Sequence, residues 1–225
     1  MNKSLLVTLA SLFWYTTVYA AAVDKLRATT VHIPNGSGAV VYGKSGAKYI
    51  LTNWHVCVGI RWKGKLYASY ENGQLLHGEI TRTDPRVDLC AARVYGDVEA
   101  LKLAPKSLRK QRIYTRGYPH HILTEDSGQL TGPYVSWKAY FDIAEVGTCP
   151  SGFTPEHTPS GVIAVCSITY NSVLSNLYSR PGSSGSPVVD TNGDIMGVIS
   201  SLHSDNEYEA GLVQYNDLKA FLSAL

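Results

Sequence analysis

Two Asn-Gly pairs, Asn72-Gly73 and Asn192-Gly193, each stand between short apolar runs. Lys65–Tyr70 and Gln74–Ile80 flank the first, and Ser186–Val189 and Ile195–Ser201 flank the second. Both residues of such a pair tolerate positive φ, which the tight turn between antiparallel strands requires. The same rhythm runs through the chain. Ala28–Ile33 is apolar and β-branched, Pro34-Asn35-Gly36-Ser37-Gly38 is a turn, Ala39–Tyr42 is a second strand, and Lys44-Ser45-Gly46 turns into Lys48–Thr52. Asp88–Val94, Ile113–Tyr118, Tyr134–Ile143 and Gly161–Tyr170 read as further strands. Ala104–Lys110 reads as a connector, and Gly147–Ser160, rich in Gly, Pro, Ser and Thr, as a long loop. Leu218, Phe221, Leu222 and Leu225 keep i, i+3, i+4, i+7 spacing, which predicts a short terminal helix with Asn216 as its cap. Short strands at close spacing with one terminal helix predict an all-β protein. The pattern alone does not choose between barrels and a sandwich.

Composition agrees with a folded β-protein. Of 225 residues 44% are hydrophobic and 17% charged, enough to bury a core in one large domain or two small ones. The net charge of +2 and pI of about 8.3 are too mild for an electrostatic nucleic-acid binder. Lys106, Arg109, Lys110 and Arg112 read as a solvated loop. Residues 1–20 read as a secretory signal, with Lys3 before a mostly apolar stretch from Ser4 to Val18. Val18-Tyr19-Ala20 offers one cleavage site and Ala20-Ala21-Ala22 a second; a retained N-terminal anchor is the alternative. No later segment is long and apolar enough to span a membrane. Four cysteines, Cys57, Cys90, Cys149 and Cys166, suggest two disulfides in an exported chain. Neither C-x-x-C nor H-E-x-x-H is present, so no metal is expected.

Three segments carry candidate chemistry. A strand runs into a histidine in Tyr49-Ile50-Leu51-Thr52-Asn53-Trp54-His55-Val56. An acid starts an apolar strand in Asp84-Pro85-Arg86-Val87-Asp88-Leu89-Cys90-Ala91. A glycine-flanked serine leads into a strand in Gly182-Ser183-Ser184-Gly185-Ser186-Pro187. A serine hydroxyl needs a base, the base needs a carboxylate to fix its tautomer, and the oxyanion needs backbone N–H donors aimed at one point. Glycines around the serine permit that turn.

Thr52-Asn53-Trp54-His55-Val56, Asp88-Leu89 and Gly182-Ser183-Ser184-Gly185-Ser186-Pro187, in this order, resemble the three signature blocks of trypsin-like (chymotrypsin-fold) serine peptidases. They are most similar to the bacterial, periplasmic and viral branches. Gly193-Asp194-Ile195-Met196-Gly197-Val198-Ile199-Ser200 resembles the family strand that follows the serine. The resemblance implies two packed six-stranded antiparallel β-barrels, at 21–110 and 111–225, with a short C-terminal helix in the second segment. It implies His55 as base, Asp88 as its orienting acid rather than Asp84, Ser184 as nucleophile rather than Ser183 or Ser186, and the N–H groups of Gly182 and Ser184 as the oxyanion hole. If His55 and Asp88 touch, Cys57 and Cys90 come close, so disulfides Cys57–Cys90 and Cys149–Cys166 are expected.

Counting back from Ser184 as the family does places Tyr178 at the floor of the specificity pocket, with Ser200, Ser201 and Leu202 as a wall; packing of Tyr178 elsewhere is the alternative. No acid sits at that floor, so preference for Arg or Lys is not implied. His203 lies near the wall, though not where glutamate-selective relatives place a histidine. Ser183 stands where the digestive branch has aspartate, so no zymogen switch of that kind is implied. The expected activity is peptide-bond hydrolysis through an acyl-enzyme, by a secreted or periplasmic protein acting on peptides, without cofactor. A catalytically inactive trypsin-like binding module is the alternative. An α/β-hydrolase esterase is disfavoured, because position 186 is Ser186 rather than glycine and the chain order is reversed.

Overall fold

The computed structural model describes residues 20–59, 64–106, 111–142, 148–157, 164–202 and 207–225. Residues 1–19 of the expected leader, with Arg109, Lys110 and His203, lie outside the described residues. Strands β1 (Thr30–Ile33), β2 (Gly36–Tyr42), β3 (Lys48–Thr52), β4 (Lys65–Ser69), β5 (Leu75–Asp84) and β6 (Leu89–Val94) form the first unit. They close in the order β1-β2-β3-β6-β5-β4, each pair antiparallel.

The second unit comprises β7 (Arg112–Gly117), β8 (Thr124–Asp142), β9 (Thr154–His157), β10 (Ala164–Ser175), β11 (Pro187–Val189), β12 (Ile195–Leu202) and β13 (Ala210–Val213). Its order is β13-β12-β11-β7-β8-β10-β9, and β13 also pairs with β10. Six strands therefore close a second ring, and β9 is a seventh on the outer side of β10. The expected chymotrypsin-like architecture is present with that addition. β9 falls in the stretch expected to be a loop. The Cys149–Cys166 disulfide holds it beside β10, where Pro155 faces Cys166. An edge strand tolerates that proline because one side of its ladder is unused. Gly73 and Gly193 take φ of 81° and 74° in the two hairpins where the Asn-Gly pairs place them.

Alternation along the strands feeds two cores. Val31, Ile33, Val40, Ile50, Leu66 and Ala92 fill the first barrel. Ala39, Val41, Tyr49, Leu51 and Ala91, on the opposite faces, meet Tyr114, Val189, Ile195 and Val198 of the second barrel.

Three helices complete the described chain. Helix α1 covers described residues 20–29, and its last two, Ala28 and Thr29, fall where strand was expected, so β1 starts at Thr30 rather than Ala28. Ala22 and Leu26, one helical turn apart, enter the core between the barrels, and Lys25 donates to Asn192 O of the second barrel at 2.7 Å. Helix α2 (Trp54–Gly59) follows β3. Helix α3 (Tyr215–Ser223) buries Leu218, Phe221 and Leu222 in the core shared by the two barrels. Asn216 is inside this helix. The cap position is Gln214, without a side-chain bond, so docking of the apolar face rather than capping fixes α3.

Candidate active site

Where β3 ends, α2 places His55 in its first turn, and Asp88 stands at the corner that opens β6. Asp88 holds a left-handed backbone, φ 55°, which is unfavourable for a residue with a β-carbon. Four bonds hold it there. His55 Nδ1 lies 3.0 Å from Asp88 Oδ1 and 2.9 Å from Oδ2, the His55 backbone N–H donates to Oδ1 at 3.1 Å, and Asn53 Nδ2 donates to the Asp88 carbonyl at 3.0 Å. Asp88 is only 1% exposed. A carboxylate on Nδ1 keeps the proton there and leaves Nε2 free to accept one. Burial pushes the His55 pKa down, but the charge of Asp88 and its hydrogen bond together outweigh burial and leave it above the usual histidine value. Asp84, the competing acid, is engaged elsewhere. Its Oδ1 accepts from Arg86 N and Nε at 3.1 Å each, and its Oδ2 from Arg86 Nη2 at 3.0 Å. These bonds hold its carboxyl below the usual range. The Cys57–Cys90 disulfide ties α2 to β6 next to the His55–Asp88 pair.

The serine turn is a backbone construction. Gly182 and Gly185 take φ of 97° and 89°. A β-carbon at Gly182 would lie 2.6 Å from Tyr118 O, and one at Gly185 would overlap Ser37 O. The Pro181 carbonyl accepts from His120 N at 2.7 Å, the Gly182 carbonyl from Ser37 Oγ at 2.8 Å, and the Ser184 carbonyl from Ser37 N at 2.8 Å. The N–H groups of Ser183, Gly185 and Ser186 donate to Arg180 O, Ile199 O and Ser183 O. Those of Gly182 and Ser184 have no protein partner among the described residues. Of the three hydroxyl side chains, Ser183 and Ser186 are 3% and 1% exposed, and Ser183 Oγ accepts from Arg180 N at 3.0 Å. Ser184 shares with His55 a cleft of about 380 Å³.

Residues 36–198 match the profile described as "Trypsin-like peptidase domain". The chain belongs to the trypsin-like peptidase family. No curated sequence matches it significantly. Its fold is similar to that of the Rv3671c protease from M. tuberculosis in its active form, with 16% identity, TM-score 0.63, and coverage of 92% of this chain and 85% of that one. It is also similar to the HtrA-type protease AlgW solved with a tripeptide, at 16% identity, TM-score 0.62 and 89% and 60% coverage. The serine endoprotease from Yersinia pestis gives 16% identity, TM-score 0.61 and 92% and 66% coverage. The chain thus spans less than two thirds of the last two.

In this trypsin-like peptidase the cleft has one wall from Ser179, Arg180 and Pro181 with Ser200 and Ser201, and another from β8. Tyr178 does not line this cleft. Its ring meets Tyr208 at 5.6 Å, its N–H donates to Asp126 Oδ2 at 2.7 Å, and it lines a separate small cavity with Ser183. The side chain of Leu202 lies outside the described part of the chain. Sequence reasoning missed Arg180, which pairs with Glu207, and the apolar wall of Trp137, Ala139 and Phe141 on β8. Their i, i+2, i+4 spacing was the available signal. Trp54 of α2 packs on Phe141 and Phe153, with ring centroids 5.0 and 5.2 Å away.

Proposed function

We propose that the chain is a serine endopeptidase that hydrolyses peptide bonds through an acyl-enzyme. The observation that carries this reading is one cleft shared by Ser184 and the Asp88-bound His55, beside two backbone N–H groups left without a protein partner among the described residues. His55 Nε2 takes the Ser184 Oγ proton as Oγ attacks the scissile carbonyl carbon. Asp88 stabilises the imidazolium, and the Gly182 and Ser184 N–H groups receive the oxyanion. The amine leaves with the proton from His55, and water attacks the acyl-enzyme by the same route, returning the acid product and the free serine. The raised His55 pKa places the acid limb of activity above about pH 6.5.

The two barrels, 21–110 and 111–225, are the proposed domains. Two disulfides support a secreted or periplasmic location. Ser183 closes its own ring with Arg180, and α1 fastens to Asn192, which supports competence without a newly trimmed N-terminus inserted at Ser183. A fluorophosphonate probe tests the reading. Labelling is expected in the wild type and lost in Ser184→Ala; an unlabelled, folded wild type would leave a non-catalytic binding module.

A further inference from the structure

Outside the triad, two histidines bridge the barrels. His32 Nε2 and His121 Nδ1 are 3.0 Å apart. His32 lies on β1, and His121 ends the short turn Pro119–His121 between β7 and β8. Two imidazole nitrogens at that distance share one proton, because one must donate and the other accept. The contact exists with both rings neutral or with one extra proton, and not with both rings fully protonated.

The turn it reaches is also the support of the oxyanion hole. His120 N donates to Pro181 O at 2.7 Å, and Tyr118 O sits where a Gly182 β-carbon would be. His120 and His121 both hold left-handed backbones, φ 50° and 63°, which need outside contacts to persist. We propose that His32 and His121 are positioning residues for the oxyanion hole: their bond fixes the turn that aims the Gly182 N–H, and double protonation releases it. This rests on the serine-peptidase reading for its effect on rate.

The surroundings leave the second proton uncompensated. Ser37 and Ser69 stand opposite His32 on β2 and β4, and the Tyr118 ring lies beside it at 4.9 Å. Arg116 and Glu71, the charges that act on Tyr118, are paired with each other. Among the described residues no carboxylate pairs with either ring. Burial, and then the neighbouring His121, hold His32 below the usual histidine range.

Two measurements test this. The first is kcat and KM from pH 5 to 9 for the wild type, His121→Asn and His32→Gln. Asparagine accepts a left-handed backbone and does not titrate. The wild-type kcat should fall about three- to tenfold below a one-proton curve at pH 5, a modest effect because the pair is partly exposed. KM should hardly move, and both variants should follow one proton. The second is the Gly182 amide shift in ¹⁵N-glycine-labelled His55→Ala protein. It should titrate between pH 8 and 5, and the titration should vanish when His121→Asn is added. A wild type already obeying one proton, or a flat Gly182 amide in His55→Ala, overturns the proposal. A titrating amide in His55→Ala, together with a folded wild type whose Ser184 takes no fluorophosphonate, supports the coupling and ends the peptidase reading.

Discussion

In the first barrel, His55 and Asp88 are held by bonds that begin and end in that barrel, from Asn53, the His55 backbone and the Cys57–Cys90 link. In the second, Ser184 stands on a turn whose carbonyls at Gly182 and Ser184 are bonded by Ser37 of the first barrel. One half of the site is side-chain chemistry on a local frame. The other is backbone geometry that depends on how the barrels dock. His55 and Asp88 should therefore keep their mutual geometry when the docking shifts, whereas the N–H groups of Gly182 and Ser184 should not.

The sharpest separation should come from Asp88→Asn. This change reverses the preferred tautomer of His55 and should lower kcat about 10⁴-fold, as it does for this type of triad in general. The backbone turn should be intact, so Ser37 and Tyr118 amide protection should stay as in the wild type. The raised pKa also predicts a sign for stability. The folded protein holds the His55 proton more tightly than the unfolded chain, so the stabilisation from the Asp88 pair is full below about pH 6.5 and fades as pH rises through the folded value. The difference in melting temperature between wild type and Asp88→Asn should shrink from pH 6 to pH 9.

Next comes Gly182→Ala. It asks for a β-carbon at φ 97° and 2.6 Å from Tyr118 O. Loss of one oxyanion donor should cost about 10²–10³ in kcat. KM and the acid limb set by His55 should be little changed. A shift of that limb by this variant would break the division between the two halves. The smallest effect is expected from Ser37→Ala. Its hydroxyl bridges Tyr118 N and Gly182 O at 2.9 and 2.8 Å, inside a residue with no exposure. Removing it leaves two buried groups without that partner and should lower stability by about 1–3 kcal/mol. The cost in kcat should be smaller than for Gly182→Ala, measured in the same assay.

The same division explains which parts of the molecule are legible in the amino-acid sequence. The blocks around His55, Asp88 and Ser184 and the Asn-Gly hairpins are legible because each is a short run whose chemistry is local, and the cysteine pairs follow from the resemblance those blocks carry. Helix α1 is hidden because Ala22 and Leu26 gain meaning only from the core they enter. β9 is hidden because a stretch rich in loop formers becomes a strand through its ladder with β10, a partner set by the fold and not by local pattern. Counting along the chain puts Tyr178 in the pocket. Asp126, reached through β8, draws its backbone away, and no local pattern reports that. Arg180 and the β8 aromatics escape for the same reason, since a wall belongs to a cleft and a cleft is made by two distant segments.

Helix α1 and the segment after α3 are fastened crosswise. Lys25 of α1 bonds the Asn192 carbonyl in the second barrel, while the last residue, Leu225, accepts bonds from Ser45 and Tyr49 in the first. Each barrel is thus tied to a segment that lies far from it along the chain. Neither can come apart without breaking the contacts of α1 or of Leu225, so the pair should melt as one cooperative unit. Chemistry that needs residues from each barrel is thereby lost only when that whole unit opens.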